Sequence, residues 1–263
     1  GTVVGIDGMV NSVDTVESLA AELRAEGGIT LRTNFDPLDK IWKNRPAIPL
    51  DFAVVHPLKY AGESAENKIA RIRQALRERQ VEGMLISALD DIAWTLNLRG
   101  TDTHCNPVVV SYLLISQDKV TLFINPIKLT DDVRDYLASI GVSTDAYENV
   151  GKGLLKYSGY NILMDPNETS YTLYNIYGDR PKVMAPSPVP SMKAVKNAVE
   201  IRGYREAMVR DGVAMVKFLR WLVPAVEDGG VTERLVDEEL TSFRMEQALF
   251  KDISFDTLAG YGP

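Results

Sequence analysis

Two histidines and a single cysteine bound the nucleophilic, acid–base and soft-metal chemistry open to this chain. His56 precedes Pro57 in a proline-punctuated stretch, where an exposed or incidentally hydrogen-bonded ring is expected. His104 lies in "NLRGTDTHCNPV", which gathers Arg99, Asp102, His104, Cys105 and Asn106 into one loop between a helical and a strand-like segment. As a metal site this loop is thin. One His, one Cys and one Asp within a few residues would all have to bend toward one ion, and no second cluster completes the coordination. A Cys/His dyad is poorer still, because adjacent side chains rarely aim at each other. Arg99, with its planar fork of donors, is the residue there best suited to contact a ligand or to shape the loop.

The other patterns that could carry chemistry have plain structural readings. "GKGLLK" from Gly151 lacks both Rossmann and P-loop spacing and reads as a turn before a helix. The carboxylate pairs Asp90–Asp91, Asp131–Asp132 and Glu238–Glu239 fall at helix starts or on helix surfaces, where the helix dipole already accounts for negative charge. Ile201, Tyr204, Met208, Met215, Phe218, Leu219 and Leu222 share one helical stripe, which reads as core before it reads as a cofactor box. The residues alone show no complete active site, so the chain reads as scaffolding for a site elsewhere.

The elements that would hold such a site fall into three stretches. Residues 3 to 10 are apolar, Asp14 and Glu17 make a capping-box-like start to a helix with Val16, Leu19, Ala20 and Leu23 on one face, and Gly27-Gly28 stops it before the short strand "ITLRT". This strand, helix, strand unit is too small to bury both of its faces. Pro37, Pro46, Pro49 and Pro57 then mark an extended connector. From Ser64, a helix with Ile69, Ile72 and Leu76 on one face feeds the strand "GMLIS". Alternating helices and strands follow, with a tight hairpin at Ser116-Gln117-Asp118. The pattern predicts one α/β domain over roughly 50 to 188, a mixed sheet with helices on both faces. "APSPVPSM" is a proline-rich boundary. Beyond it a long helix is expected from 197 to about 223, ended by Pro224 and Gly229-Gly230, then a second from Thr232 to about Ala248 and a strand at 252 to 256 in which Ile253 and Phe255 alternate with Ser254 and Asp256. Gly260, Gly262 and Pro263 read as a loop leading onward. With Gly1 where an initiator Met would stand, both ends are expected to be cut ends.

Composition narrows the classes. Twenty-nine basic against 36 acidic residues leave a net charge of −7, which argues against a phosphate-backbone surface, so no nucleic acid partner is expected. No apolar run approaches the roughly 20 residues needed to cross a bilayer and no signal pattern opens the chain, so no membrane association and a cytoplasmic location are expected. The one cysteine excludes an internal disulfide framework and any multi-cysteine zinc site.

The motifs "LDKIW" with "NRP" at 38 to 46, "ALDDIAWTLNLRGTDTHCNPVVVSY" at 88 to 112, "KAVKNAVEIRGYREAMVRDGVAM" at 193 to 215 and "GGVTE" at 229 to 233 resemble, in order, the large three-domain form of aminopeptidase P. That is the Xaa-Pro aminopeptidase of the creatinase, prolidase and methionine aminopeptidase superfamily. The resemblance implies the end of a first creatinase-like domain and a connector over 1–49. A second, non-catalytic domain with a six-stranded or similar sheet should follow over 50–190, then the start of a truncated pita-bread domain over 191–263. It implies a full-length enzyme that removes an N-terminal residue before proline with two divalent metal ions, usually manganese, held by two Asp, one His and two Glu. None of those ligands matches a position here, so no catalytic or metal residue is carried over, and the fragment alone is expected to be inactive and to need no cofactor. A peptide with proline at its second position is the implied substrate, and the resemblance admits a homodimer of the full-length enzyme. Arg99, Asp102 and Asn106 are the residues implied to line or shape the substrate entrance. The sequence departs from the family where an acidic residue and then His are expected before Asn-Pro: His104 and Cys105 stand there. A peptide- or histone-binding module of a non-hydrolytic pita-bread relative is the alternative.

Overall fold

Strand β1 (Val3–Gly5), helix α1 (Val13–Ala25) and strand β2 (Thr30–Arg32) open the chain in the computed structural model, which describes residues 1–261. Gly262 and Pro263, read above as part of a loop, lie outside the described residues. β1 and β2 pair in parallel. The cap of α1 is Ser12, whose hydroxyl accepts the Thr15 N–H. The cap therefore stands two residues before Asp14, and the expected Asp14–Glu17 box does not form. Asp14 sits inside the first turn, where its charge complements the dipole. Val13 and Val16 are buried, while Leu19, Ala20 and Leu23 are half-covered.

The connector carries no regular element until β3 (Val54–Val55), which is followed by α2 (Leu58–Ala61) and α3 (Ala65–Glu78). Ser64 caps α3, and Ile69, Ile72 and Leu76 are buried as their spacing predicts. The next elements are β4 (Gly83–Ile86), α4 (Leu89–Leu96), β5 (Leu98–Arg99), β6 (Ser111–Ser116), β7 (Val120–Ile124), α5 (Asp131–Ser139) and β8 (Val142–Asp145). α6 (Val150–Lys156), β9 (Ile162–Met164), α7 (Tyr171–Tyr177), β10 (Lys182–Met184) and α8 (Val189–Ala194) complete the series.

Six strands form one mixed sheet in the order β10-β9-β4-β6-β7-β8. β4, β9 and β10 run parallel, β6 and β7 make the expected antiparallel hairpin, and β8 returns parallel to β7. Strand side chains alternate between faces. Met84 and Ile86 of β4, with Leu122 and Ile124 of β7, join the core that Ile72, Leu76, Val133 and Leu137 complete. Leu85 and Phe123 point the other way, onto Leu154, Leu173 and Tyr177. Burial on both faces explains why β4 and β7 read as unbroken apolar runs.

The glycine-rich and proline-rich stretches differ from their sequence reading. "GKGLLK" is itself helix α6, with Gly153 against the Phe123 ring: a Cβ at 153 would lie 2.2 Å from Phe123 Cζ. The proline-rich boundary is partly helical, since Pro188 and Pro190 occupy the start of α8, where a missing N–H costs no hydrogen bond.

The chain divides into two compact units: residues 1–58, 63–102 and 107–195 in one, and 59–62, 103–106 and 196–263 in the other. The second holds α9 (Ala198–Asp228) and α10 (Glu233–Met245). Asn197 and Glu200 close a capping box at the start of α9. The helix runs through Pro224 to Asp228 instead of stopping there; only one further turn follows the proline, so little of the ladder is lost before Gly229 and Gly230, both at positive φ, end it. Of the predicted stripe on α9 only Phe218 is buried, Met215 and Leu222 are half-buried, and Ile201, Tyr204, Met208 and Leu219 are exposed. The strand expected at 252 to 256 is absent among the described residues, because alternation alone supplies no partner for a ladder, and Phe255 is exposed.

Candidate functional site

The loop singled out by sequence is built on a buried cation. Lys68, on the same helical ridge as Ile72 and Leu76, is 2% exposed. Its Nζ donates to Trp94 O at 2.9 Å and Asn97 Oδ1 at 2.8 Å and lies 4.5 Å from the Trp94 ring centroid. These contacts end α4 at Asn97, which adopts the left-handed conformation with φ 50° that asparagine tolerates better than most residues. The turn delivers Leu98 and Arg99 to β5, antiparallel to β3. Arg99 Nη1 reaches back to Ala93 O at 2.8 Å and Leu98 O at 2.7 Å, placing positive charge on the carbonyl end of α4.

Asp102 is an interior group. Its side chain and that of Lys128 are each 1% exposed, and they form an ion pair in which Lys128 Nζ donates to Asp102 Oδ2. The same oxygen accepts the Val110 N–H at 2.6 Å, while Oδ1 has no hydrogen-bond partner among the described residues. Asn106 is exposed, and its N–H closes a tight turn onto Thr103 O at 3.1 Å. Arg99 and Asp102 thus fasten the backbone they stand on, while Asn106 faces solvent. Lys68 and Lys128 escaped the sequence reading. For Lys68 a signal existed, four residues before Ile72 on the apolar ridge; for Lys128 none did, since its partner is 26 residues away.

His56 is half-buried, its backbone N–H donating to Asn97 O at 2.7 Å. Burial, with Arg99 and Lys68 nearby, pushes its imidazole down to about 4. An unfolded histidine takes its proton near 6.5, so between about 4 and 6.5 the unfolded chain binds more protons than the folded one. Stability should be full above that window and fall as pH drops through it, by on the order of 1 kcal/mol after screening at a half-exposed ring. Urea unfolding at about pH 7 and about pH 5 checks this: His56→Gln should lose less stability on acidification than the parent, and equal losses would assign the effect elsewhere.

The carboxylate pairs take the expected structural parts. Asp90 and Asp91 lie in the first turn of α4, where both pair with Lys193, and Asp131 and Asp132 open α5. On α10, Glu238 pairs with Arg234 one turn earlier. Beyond the carboxyl end of β4, Ser87, Tyr112, Glu168, Asn11 and Ser12 line an open polar cleft of about 370 Å³. Burial and the charges of Asp165, Asp91 and Asp90 hold the Glu168 carboxyl above the usual range.

One convergence runs against the sequence expectation. His104 gains a carboxylate from far along the chain, its Nε2 lying 2.8 Å from Asp256 Oδ1. Ligand atoms of His104, Cys105 and Asp256 all lie within 4.8 Å of one another. Adjacent His104 and Cys105 come together because Cys105 takes φ 58°, which breaks the alternation of an extended chain.

The sequence profile of the creatinase/prolidase N-terminal domain matches residues 44–200. The chain belongs to the creatinase/prolidase N-terminal domain family. Over its full length this creatinase/prolidase chain is 32% identical to a probable Xaa-Pro aminopeptidase P of Sordaria macrospora and 34% identical to one of Aspergillus niger, covering 45% of each. With a TM-score of 0.92 and 27% identity, 99% of it superposes on 44% of the crystal structure of an X-prolyl aminopeptidase from Caenorhabditis elegans, described as a cytosolic enzyme with a di-nuclear active site. The chain therefore spans a little under half the length of these relatives.

Proposed function

We propose that the chain is the non-catalytic portion of a metal-dependent Xaa-Pro aminopeptidase, an enzyme that removes an N-terminal residue preceding proline. The observation that carries this reading is the likeness, over the whole length of the chain, to proteins named Xaa-Pro aminopeptidase P, supported by the 0.92 TM-score to the nematode enzyme. On this reading residues 1–49 close a first creatinase-like domain with its connector, 50–190 form the second, and 191–263 begin the pita-bread domain. The substrate is a peptide with proline at its second position. A cytoplasmic setting is supported by the description of the nematode enzyme as cytosolic, and among the described residues no helix is long and apolar enough to cross a membrane.

Two metal ions, manganese on this reading, would polarise the scissile carbonyl and activate water in the whole enzyme. Two Asp, one His and two Glu would be needed to hold them. Among the described residues the donors close enough to share an ion are one His, one Cys and one Asp, so they do not fit that pair and no catalytic step is assigned to them. The part assigned to this chain is positional. The Lys68–Asn97 contacts, the Arg99 bonds and the Asp102–Lys128 pair fix the backbone around the "RGTD" segment, which supports a shaping role for Arg99 and Asp102 at a substrate entrance that Asn106, being exposed, would line.

Incubating purified residues 1–263 with manganese and an Xaa-Pro peptide tests the reading. No N-terminal residue should be released above the metal-only blank. Manganese-dependent release, followed by chromatography of the products, would overturn it.

A further inference from the structure

We propose that His104, Cys105 and Asp256 form a binding site for a borderline-soft divalent metal ion, of which zinc fits best. A nitrogen, a sulfur and an oxygen donor lie within 4.8 Å of one another on the same compact unit. Tetrahedral zinc, with bonds of about 2.0–2.3 Å, sets donor–donor separations of about 3.3–3.8 Å. The three atoms therefore need to adjust by about 1–1.5 Å at most, within the reach of side-chain torsions. His104 and Asp256 are free to make that adjustment, being 70% and 72% exposed.

Three further features favour a cation there. The Thr103–Asn106 turn holds Cys105 at positive φ, so two neighbouring residues offer donors to one point, an arrangement an extended chain denies. The local field is negative. The carboxylates of Asp256 and Asp252 bear on Cys105, and Asp256 also pairs with His104 at 2.8 Å. The negative charge that discourages a bare thiolate attracts a dication. The donor set also selects the ion. A thiolate, an imidazole and one carboxylate suit zinc, whereas magnesium, calcium and manganese favour all-oxygen shells. Three protein ligands leave the fourth position to water. On binding, the thiol proton and any proton on the imidazole pass to solvent as the metal–sulfur and metal–nitrogen bonds form, and the metal takes over the charge that His104 shares with Asp256. The site stands independently of the peptidase reading.

Cobalt(II) is the probe, and Cys105 is the sole thiol of the chain, so any thiolate-to-cobalt charge transfer reports this residue. One equivalent added to purified residues 1–263 should give that near-ultraviolet band together with the visible bands of a tetrahedral ion, both abolished by zinc. Cys105→Ser should remove the charge-transfer band. His104→Ala and Asp256→Asn should each weaken zinc binding at least tenfold in competition with a chelator. All three residues are at the surface or half-covered, and metal-free circular dichroism and melting of each variant should match the parent. Absence of the band in the folded parent, or a band of unchanged strength in both His104→Ala and Asp256→Asn, would overturn the site; the second result would reduce it to a bare thiol adduct.

Discussion

Replacing Asp102 by alanine should cost about 3–5 kcal/mol of folding stability, the largest loss expected from any single change in the loop. The carboxylate and the Lys128 ammonium are each 1% exposed, so removing one leaves the other charged and out of water. The Val110 N–H loses its acceptor in the same step. Asp102→Asn should cost less, because an amide oxygen can still accept from Val110. A double change of Asp102→Leu with Lys128→Met should recover much of the loss, since a buried ion pair is often no more stabilising than apolar residues of similar volume. Urea denaturation of the four proteins measures all of this. A loss below about 1 kcal/mol for Asp102→Ala would mean that the pair is solvated in solution.

Alanine should be tolerated at Gly151 and destabilising at Gly153. Both lie inside α6, where alanine is favoured over glycine by about 1 kcal/mol. A Cβ at 151 meets the flexible end of Ile176 at 3.1 Å, so Gly151→Ala should be neutral or mildly stabilising. At 153 the Cβ would meet the ring of Phe123, which is 2% exposed, packed among Leu85, Leu114 and Leu154, and has nowhere to retreat. Gly153→Ala should therefore lose about 1–3 kcal/mol as the sheet and helix are forced apart. Thermal unfolding of the pair checks the sign of each. A stabilised Gly153→Ala would show that propensity outweighs the packing assigned here.

The glycines also mark where sequence reasoning reached its limit. "GKGLLK" scores poorly as helix because two glycines lower its propensity, yet Phe123 on a strand across the core selects one of them for its missing side chain. By contrast, the Ile69, Ile72 and Leu76 ridge, the "GMLIS" strand and the hairpin at Gln117 are governed by periodicity and local turn chemistry, and they stand where their spacing puts them. The loop's position was readable from its motif; its wiring was not. Asp102 finds Lys128 across 26 residues and His104 finds Asp256 across 152, between segments with no shared period. The 252 to 256 stretch failed for a related reason: alternation describes a chain that could pair, and pairing needs a neighbour.

The division into two compact units has a consequence for inheritance. Lys59–Gly62 and Thr103–Asn106 belong with the residues after Lys196, although each is embedded in the sequence of the other unit. A genetic exchange at a single crossover near residue 195 would therefore carry the long helices without two short pieces of their own unit. The first of these lost pieces includes Ala61, whose carbonyl accepts from the Asn197 side chain. Gly62, at φ 71° and with no room for a Cβ beside Asn197 and Val199, would be lost with it. Chimeras of this fold should be planned as three coordinated segments, and homologous changes at 59–62 and 103–106 should travel with changes in the helical half.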